Sequence, residues 1–566
     1  MKELKVFEEW PFKIPNLKKI EEDLKKLIKE LKEAKNEEEA YSVVKKYNKL
    51  SDKFENEVTL VNVLFSLDTK NNKYAKAMVV LDEGLPQIEA VNNEYKKAVL
   101  ETKFRPFLEK KLGAFIFQMY EYSLKSFDEC IIEESVIENK LITDYNAKSA
   151  SAKIEFRGGV YNLPQMGKFM QDLDRQTRKE ASEAYYGFLE TIKDELEEIY
   201  DKLVKVRDKM AKKLGYKNYV ELGYLRMGRY DYNKNDVSKY REEINDVVTP
   251  IAAKLLKEQF KRTGIKKPEI YDLSLSFKDG NPTPVGTTDE KIELAKRMYD
   301  EMSEETSEFF RFMADHHLLQ LEAKEGKQSG GYMTYFPVYK APFIFSNFNG
   351  TSGDVDVLTH EFGHAFQGYL SSNIKVPEYR NPTMESCEIH SMSMEFFTHP
   401  YMHYFFDEPN KYRYQHLADS ISFLPYGVTV DHFQEWVYEN PDATPAQRDQ
   451  KWHELELKYT PYKVACYKDN KYMQEGHRWL TQGHIFSSPF YYIDYTLAQV
   501  VAFEFFNLDR KNHNLAWKRY VNLCKIGGKH PFRTLVKKAN LKDPFETGTI
   551  KKTISPLMKE LKSYNI

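Results

Sequence analysis

The stretch LTHEFGHAFQ, Leu358 to Gln367, places two histidines four residues apart with a glutamate directly after the first. On an α-helix, positions i and i+4 share a face, so His360 and His364 aim two imidazoles at one point and Glu361 lies beside them. This H-E-x-x-H spacing holds a zinc ion between two ring nitrogens and sets a general base next to a metal-activated water. A hydrolytic zinc also needs a third protein ligand and an open fourth position. A glycine three and a histidine six residues after the motif would supply one solution, but Gln367 and Leu370 stand there. Asp356, four residues before His360 on the same face, is placed to accept a hydrogen bond from that histidine's other ring nitrogen.

The remaining groups must come from neighbouring elements. NPTMESCEIHSMSMEFFTHP (381–400) reads as a following helix, opening after Pro382 and stopping at Pro400. It offers Glu385, Glu388 and Glu395 as carboxylate ligands, with His390 as an outside candidate and Cys387 as a small core residue. Glu388 and Glu395 share a face, one to ligate and one to support, and spacing alone leaves the choice open. In the motif helix, Ser352 or Asp354 can cap while Leu358, Phe362 and Phe366 pack. Before it, YMTYFPVYKAPFIFSNFNGT (332–351) is rich in aromatic and β-branched residues and predicts a strand pair or small sheet. Pro337 and Pro342 argue for an edge position. FIFSNFNGT is the predicted edge on which an extended peptide adds as a strand, with Asn349 and Gly350 leaving backbone room. Further on, HIFSSPFYYIDYTLAQ (484–499) offers His484, Tyr491, Tyr492 and Tyr495 as donors to a developing oxyanion. Tyr492 and Tyr495 share a helical face, although in a chain with 39 tyrosines such a cluster also reads as packing.

Across 566 residues there are only 25 glycines and 23 prolines, so long helices are the natural reading. Leu17, Ile20, Leu24, Leu27, Ile28 and Leu31 form one helical stripe, and similar periodicity runs to Gly215 and from Pro250 to Gly264. Residues 266–286, 324–331 and 439–449 read as irregular. The expectation is a mostly α protein with one small sheet beside the motif helix. Lysine plus arginine number 84 against 86 acidic residues, a net charge of -2, which gives no electrostatic reason to expect nucleic acid or an anionic membrane as partner. The N-terminal stretch lacks the apolar core of a signal peptide, and VTLVNVLFSL is too short to span a bilayer. Four cysteines are no disulfide framework, so a reducing cytoplasm is the expected setting.

With LGYLRMGRYDY (222–232), GGYMTYF (330–336), FSNFNGT (345–351) and the two segments around Glu388 and Tyr492, the motif resembles the M3 family of zinc oligopeptidases. This is the thimet oligopeptidase and oligoendopeptidase F group, and the likeness is greatest to its shorter bacterial branch. The resemblance implies that Glu388, opening the Glu-x-x-Ser stretch that ends at Ser391, is the third ligand to one zinc per chain. Glu395 then supports a metal-site histidine, His484, Tyr492 and Tyr495 line the site across from the zinc, and Tyr491 contacts substrate. The glycine-rich run that follows this histidine in thimet-type enzymes is absent here. The implied fold is two helical lobes around a deep channel, with an N-terminal helical region over 1–165 and a catalytic region over 166–566. The implied activity is hydrolysis of internal bonds in short peptides, with Glu361 taking the water's proton. A helical zinc carboxypeptidase is the alternative enzyme. A non-catalytic scaffold with a structural zinc would need a fourth protein ligand, and none is obvious near the motif.

Overall fold

Sparse glycine and proline leave long amphipathic stretches that fold as helices, the longest being Arg175–Lys213 with 39 residues. They are seen in a computed structural model that describes residues 4–324, 326–328 and 330–566. The N-terminal helix Leu17–Glu33 buries Ile20, Leu24, Leu27, Ile28 and Leu31, the predicted stripe apart from the half-buried Leu17, and Asn16 caps it by accepting from the Lys19 amide. It packs with Glu37–Leu67 and Asn72–Glu101 around a separate core that Leu108, Ile116, Phe117 and Tyr379 complete. Gly264, at φ +77°, ends a helix that begins at Lys234. The periodicity from Pro250 had caught only its second half, because Pro250 sits inside the helix.

The chain is mostly α, as expected, with two small sheets. β1 (Ile154–Phe156) and β2 (Gly159–Tyr161) form a short antiparallel hairpin. β3 (Leu319–Glu322), β4 (Tyr332–Phe336) and β5 (Ala341–Phe348) form the sheet beside the motif helix, in the order β3-β5-β4. The predicted pair β4 and β5 runs antiparallel from Tyr332↔Phe345 to Phe336↔Ala341. The predicted edge is a different matter. β3 adds in parallel from Leu319↔Ile344 onward, so β5 is the central strand and offers no free edge to a peptide. Pro342 is tolerated because it pairs with Tyr335 at a point where β3 has not yet begun. Phe7 and Trp10 pack against this sheet, 4.6 Å from Phe343 and 4.9 Å from Phe336 between ring centroids.

The turn from β5 into the motif helix corrects a second expectation. The Asn349 and Gly350 amides donate to the two carboxylate oxygens of Asp354, at 2.8 and 2.9 Å. Asn349 Oδ1 accepts from both the amide and the hydroxyl of Thr351. Their hydrogen bonds hold the entry to the helix, so these groups are not free for a substrate backbone. Gly350, at φ +85°, supplies the left-handed residue this tight turn requires. Among the described residues no helix is long and apolar enough to cross a membrane.

Candidate metal centre and active site

The motif lies on helix Gly353–Ser371, which buries Leu358, Phe362, Ala365 and Phe366 on its core side. Phe362 stacks on Tyr299 with ring centroids 3.6 Å apart. Helix Met384–Phe397 crosses it in backbone contact at Gly363. A Cβ there would lie 2.5 Å from the His390 carbonyl oxygen and 2.7 Å from the Ser391 Cα. This close crossing brings Glu388 to the two histidines. Glu388 Oε2 lies 3.2 Å from His360 Nε2 and 3.4 Å from His364 Nε2. Ser391 donates to the same oxygen at 2.9 Å, and Tyr491 donates to Oε1 at 2.5 Å.

The other nitrogen of His360 goes to Glu395, at 2.6 Å, and not to Asp356. Asp356 shares the helix face, but it accepts from Tyr412 at 2.5 Å, across on the long helix Pro409–Glu439. Neighbours on one helix lie side by side, whereas Glu395 approaches from a crossing helix head-on to the ring edge. Glu395's second oxygen meets His416 Nε2 at 2.7 Å, and His416 Nδ1 in turn meets His399 Nε2 at 3.0 Å. Sequence reading missed His399, Tyr412 and His416, which stand in no short motif and are joined only by the fold. Of the other ligands considered, His390 faces Cys524 at 3.4 Å and Glu385 is buried beside Asp494.

Opposite the motif, helix Tyr492–Asp509 and the short helix Gly483–Ser487 bring His484, Tyr491, Tyr492 and Tyr495 together. The three tyrosine rings stand 5.3 to 5.7 Å from the His484 ring. The Gln482 side-chain nitrogen donates to His484 Nδ1 at 2.9 Å, which leaves Nε2 to carry the proton, 3.4 Å from the Tyr495 hydroxyl. Phe490, at φ +68°, turns the chain into this helix. That left-handed position is costly for a side chain with a Cβ, and Arg229 anchors it by donating to the Phe490 carbonyl and to Asp494. His360, Glu395, His484, Tyr492 and Tyr495 line one cavity of about 390 Å³.

Electrostatics fit a bound cation. Burial opposes charge on His360, yet Glu388 and Glu395 hold its pKa well above the ordinary value. Burial would raise Glu388, yet His364 and His360 hold it well below. The carboxylates therefore demand positive charge at this point, which a metal ion would supply in place of a proton. His360, His364 and Glu388 also offer three ligand atoms within 4.8 Å of one another, two imidazole nitrogens and a carboxylate oxygen. That donor set suits zinc. Glu361 sits next to it, its carboxyl raised by burial against the pull of His360 and His364. A second cluster, Glu197, Asp449 and His477, already has the Lys193 ammonium 3.3 Å from Glu197.

The sequence profile described as the Peptidase M3 N-terminal domain matches residues 7–127, and that of Peptidase family M3 matches residues 168–553. The chain belongs to peptidase family M3. As an M3 protein it is a metallopeptidase, as the motifs had implied. It is similar to a Pz peptidase A solved with an inhibitor, at 46% identity over 98% of this chain and 99% of that one, with a TM-score of 0.96. A Bacillus anthracis protein named for oligoendopeptidase F is 44% identical over 99% of both chains, with a TM-score of 0.91. The oligoendopeptidase F of Enterococcus faecium, 14% identical with a TM-score of 0.63, shares the fold. No curated protein matches the chain.

Proposed function

We propose that this M3 peptidase is a zinc-dependent oligopeptidase that cleaves internal bonds of short peptides. One observation carries the reading: a carboxylate oxygen of Glu388 lies 3.2 and 3.4 Å from two imidazole nitrogens, with Glu361 beside them. His360, His364 and Glu388 would hold the metal. A zinc ion there supplies a Lewis acid that lowers the pKa of a water towards neutrality and polarises a carbonyl. Glu361 accepts the proton from the attacking water at its carboxylate and returns it to the leaving amine. His484 Nε2–H and the hydroxyls of Tyr492 and Tyr495 face the same cavity and donate to the substrate oxygen as it gains charge. Tyr491 acts elsewhere, fixing the free oxygen of Glu388, and Glu395 fixes the orientation of His360. Enclosure supports the restriction to short peptides, since the His360 side chain is 22% exposed and that of Glu388 only 3%.

The test uses a peptide blocked at both ends. Cleavage within it, lost on chelation and restored by zinc, is expected; a carboxypeptidase would leave it intact. Glu361→Gln should keep its zinc and lose nearly all turnover, because the amide cannot take the water's proton. Glu388→Ala should instead lose the metal. Full activity in metal-free protein would overturn the reading.

A further inference from the structure

Beyond the metal-site cavity lies a second one of about 310 Å³, and the two share Gln415 and Asp419 on their common wall, the helix Pro409–Glu439. Its charged lining is one-sided: Arg262, Lys463 and Arg478 against Asp419 alone. Two of these cations are already engaged. Arg262 donates to the Ser276 carbonyl at 2.8 Å and to the Tyr414 hydroxyl at 3.2 Å. Arg478 pairs with Glu456 at 3.2 Å and stacks over the Tyr426 ring at 4.2 Å. Lys463 is different, for its ammonium has no hydrogen-bond or ion-pair partner among the described residues. Asp419 and Glu456 draw on it only at a distance. Two further polar atoms at this cavity, Tyr462 Oη and Gln415 Oε1, are buried without partners. Lys463 is half-buried, so its ammonium keeps part of its water and is free to exchange it for an anion that enters the cavity.

We propose that Lys463 binds the free α-carboxylate of a peptide whose scissile bond lies in the adjoining metal site, with Arg478 adding charge from the same wall. The inference rests on the oligopeptidase reading and adds to it a recognised substrate end. The physical link runs through residues already described. Arg478 lies on Tyr426, Tyr426 donates to Gln482 Oε1 at 2.8 Å, and Gln482 holds His484. Gln415 and Asp419 line both spaces, so the two meet at these side chains, and the proposal requires an extended chain to cross there. Burial and Arg478 lower the Lys463 pKa to about 8, which still leaves the amine charged at neutral pH.

The experiment compares two peptides of one sequence, one with a free C-terminal carboxylate and one amidated. Binding is read by fluorescence anisotropy on zinc-loaded Glu361→Gln enzyme, and cleavage on the active enzyme. The acid should bind at least about tenfold more tightly than the amide, the span of a charge-assisted hydrogen bond. Lys463→Met, made in the Glu361→Gln background, should erase that acid-to-amide ratio, and Lys463→Arg should keep most of it. The ratio is taken within one variant, so a loss of folded protein does not imitate the effect. Equal affinity for the two peptides, or a ratio that survives Lys463→Met, would overturn the subsite. Acid-selective binding with no cleavage of either peptide by the active enzyme would retain the subsite and refute the oligopeptidase reading.

Discussion

Tyr491 and Tyr495 stand with their rings 4.8 Å apart, yet their hydroxyls meet different partners and predict different losses. Tyr491 donates to the Glu388 oxygen that faces away from the histidines. Tyr491→Phe should therefore act on the metal: zinc affinity measured against a competing chelator should fall about tenfold or more, the usual cost of losing a group that orients a ligand. Turnover at saturating zinc should stay close to normal. Tyr495 and Tyr492 touch no ligand, and they line the cavity beside His360 in which the proposed mechanism places the carbonyl oxygen as it gains charge. Phe at either position should lower kcat on the order of a hundredfold, about 3 kcal/mol, with KM and Tm nearly unchanged. Near-normal kcat in both would assign the donor role to His484, whose Nε2 proton is set by Gln482.

At the scale of elements, the site depends on how closely two helices cross. Gly363 has no room for a Cβ against the His390 carbonyl and the Ser391 Cα, both backbone atoms that cannot swing aside. Gly363→Ala should push Met384–Phe397 away and draw Glu388 off the histidines. Zinc affinity should fall even though the mutated residue touches no metal, and a crystal structure should show the helices further apart; unchanged zinc binding would mean the crossing tolerates the shift. The parts legible in the sequence were those encoded locally. The i, i+4 histidines, the helical stripe from Ile20 to Leu31 and the β4–β5 pair each follow from a repeat within one segment. The parts not legible depend on what a segment meets. The Asp356 position was right for a same-face neighbour, but only a crossing helix presents Glu395 to the His360 ring edge. β3 is four residues long, too short to carry a pattern, so its conversion of β5 from edge to centre left no trace. The left-handed Phe490 is likewise invisible without Arg229, which arrives from 261 residues away to hold it.

Across the whole molecule, the tyrosine side of the site is tied to the N-terminal helices through a buried charge cluster. Glu138, on helix Ile132–Ala150, pairs with Arg207 at 2.6 Å and Arg226 at 2.9 Å. Arg207 also donates to the Tyr438 hydroxyl at 2.9 Å and to the carbonyl of Phe486, two residues beyond His484. Burial alone would raise the Glu138 pKa, but Arg226 and Arg207 bring it from the ordinary 4.5 down to about 2. A carboxyl whose folded pKa is depressed binds its proton more readily when unfolded. Its stabilisation is therefore complete above about pH 5 and is lost as pH falls through 2, a difference of about 3 kcal/mol. Glu138→Gln removes the charge and leaves two buried guanidinium groups without their anion, which should cost about 3 to 5 kcal/mol at neutral pH. The gap between wild type and Glu138→Gln, read from urea midpoints, should narrow by about 2 kcal/mol between roughly pH 5 and pH 3, because the wild-type carboxylate loses its advantage over that range. A gap of constant size would show that Glu138 acts through its shape alone. Because Arg207 reaches the Phe486 carbonyl, the same variant should also lower kcat in the fraction that remains folded, since His484 rides on the helix that this hydrogen bond anchors.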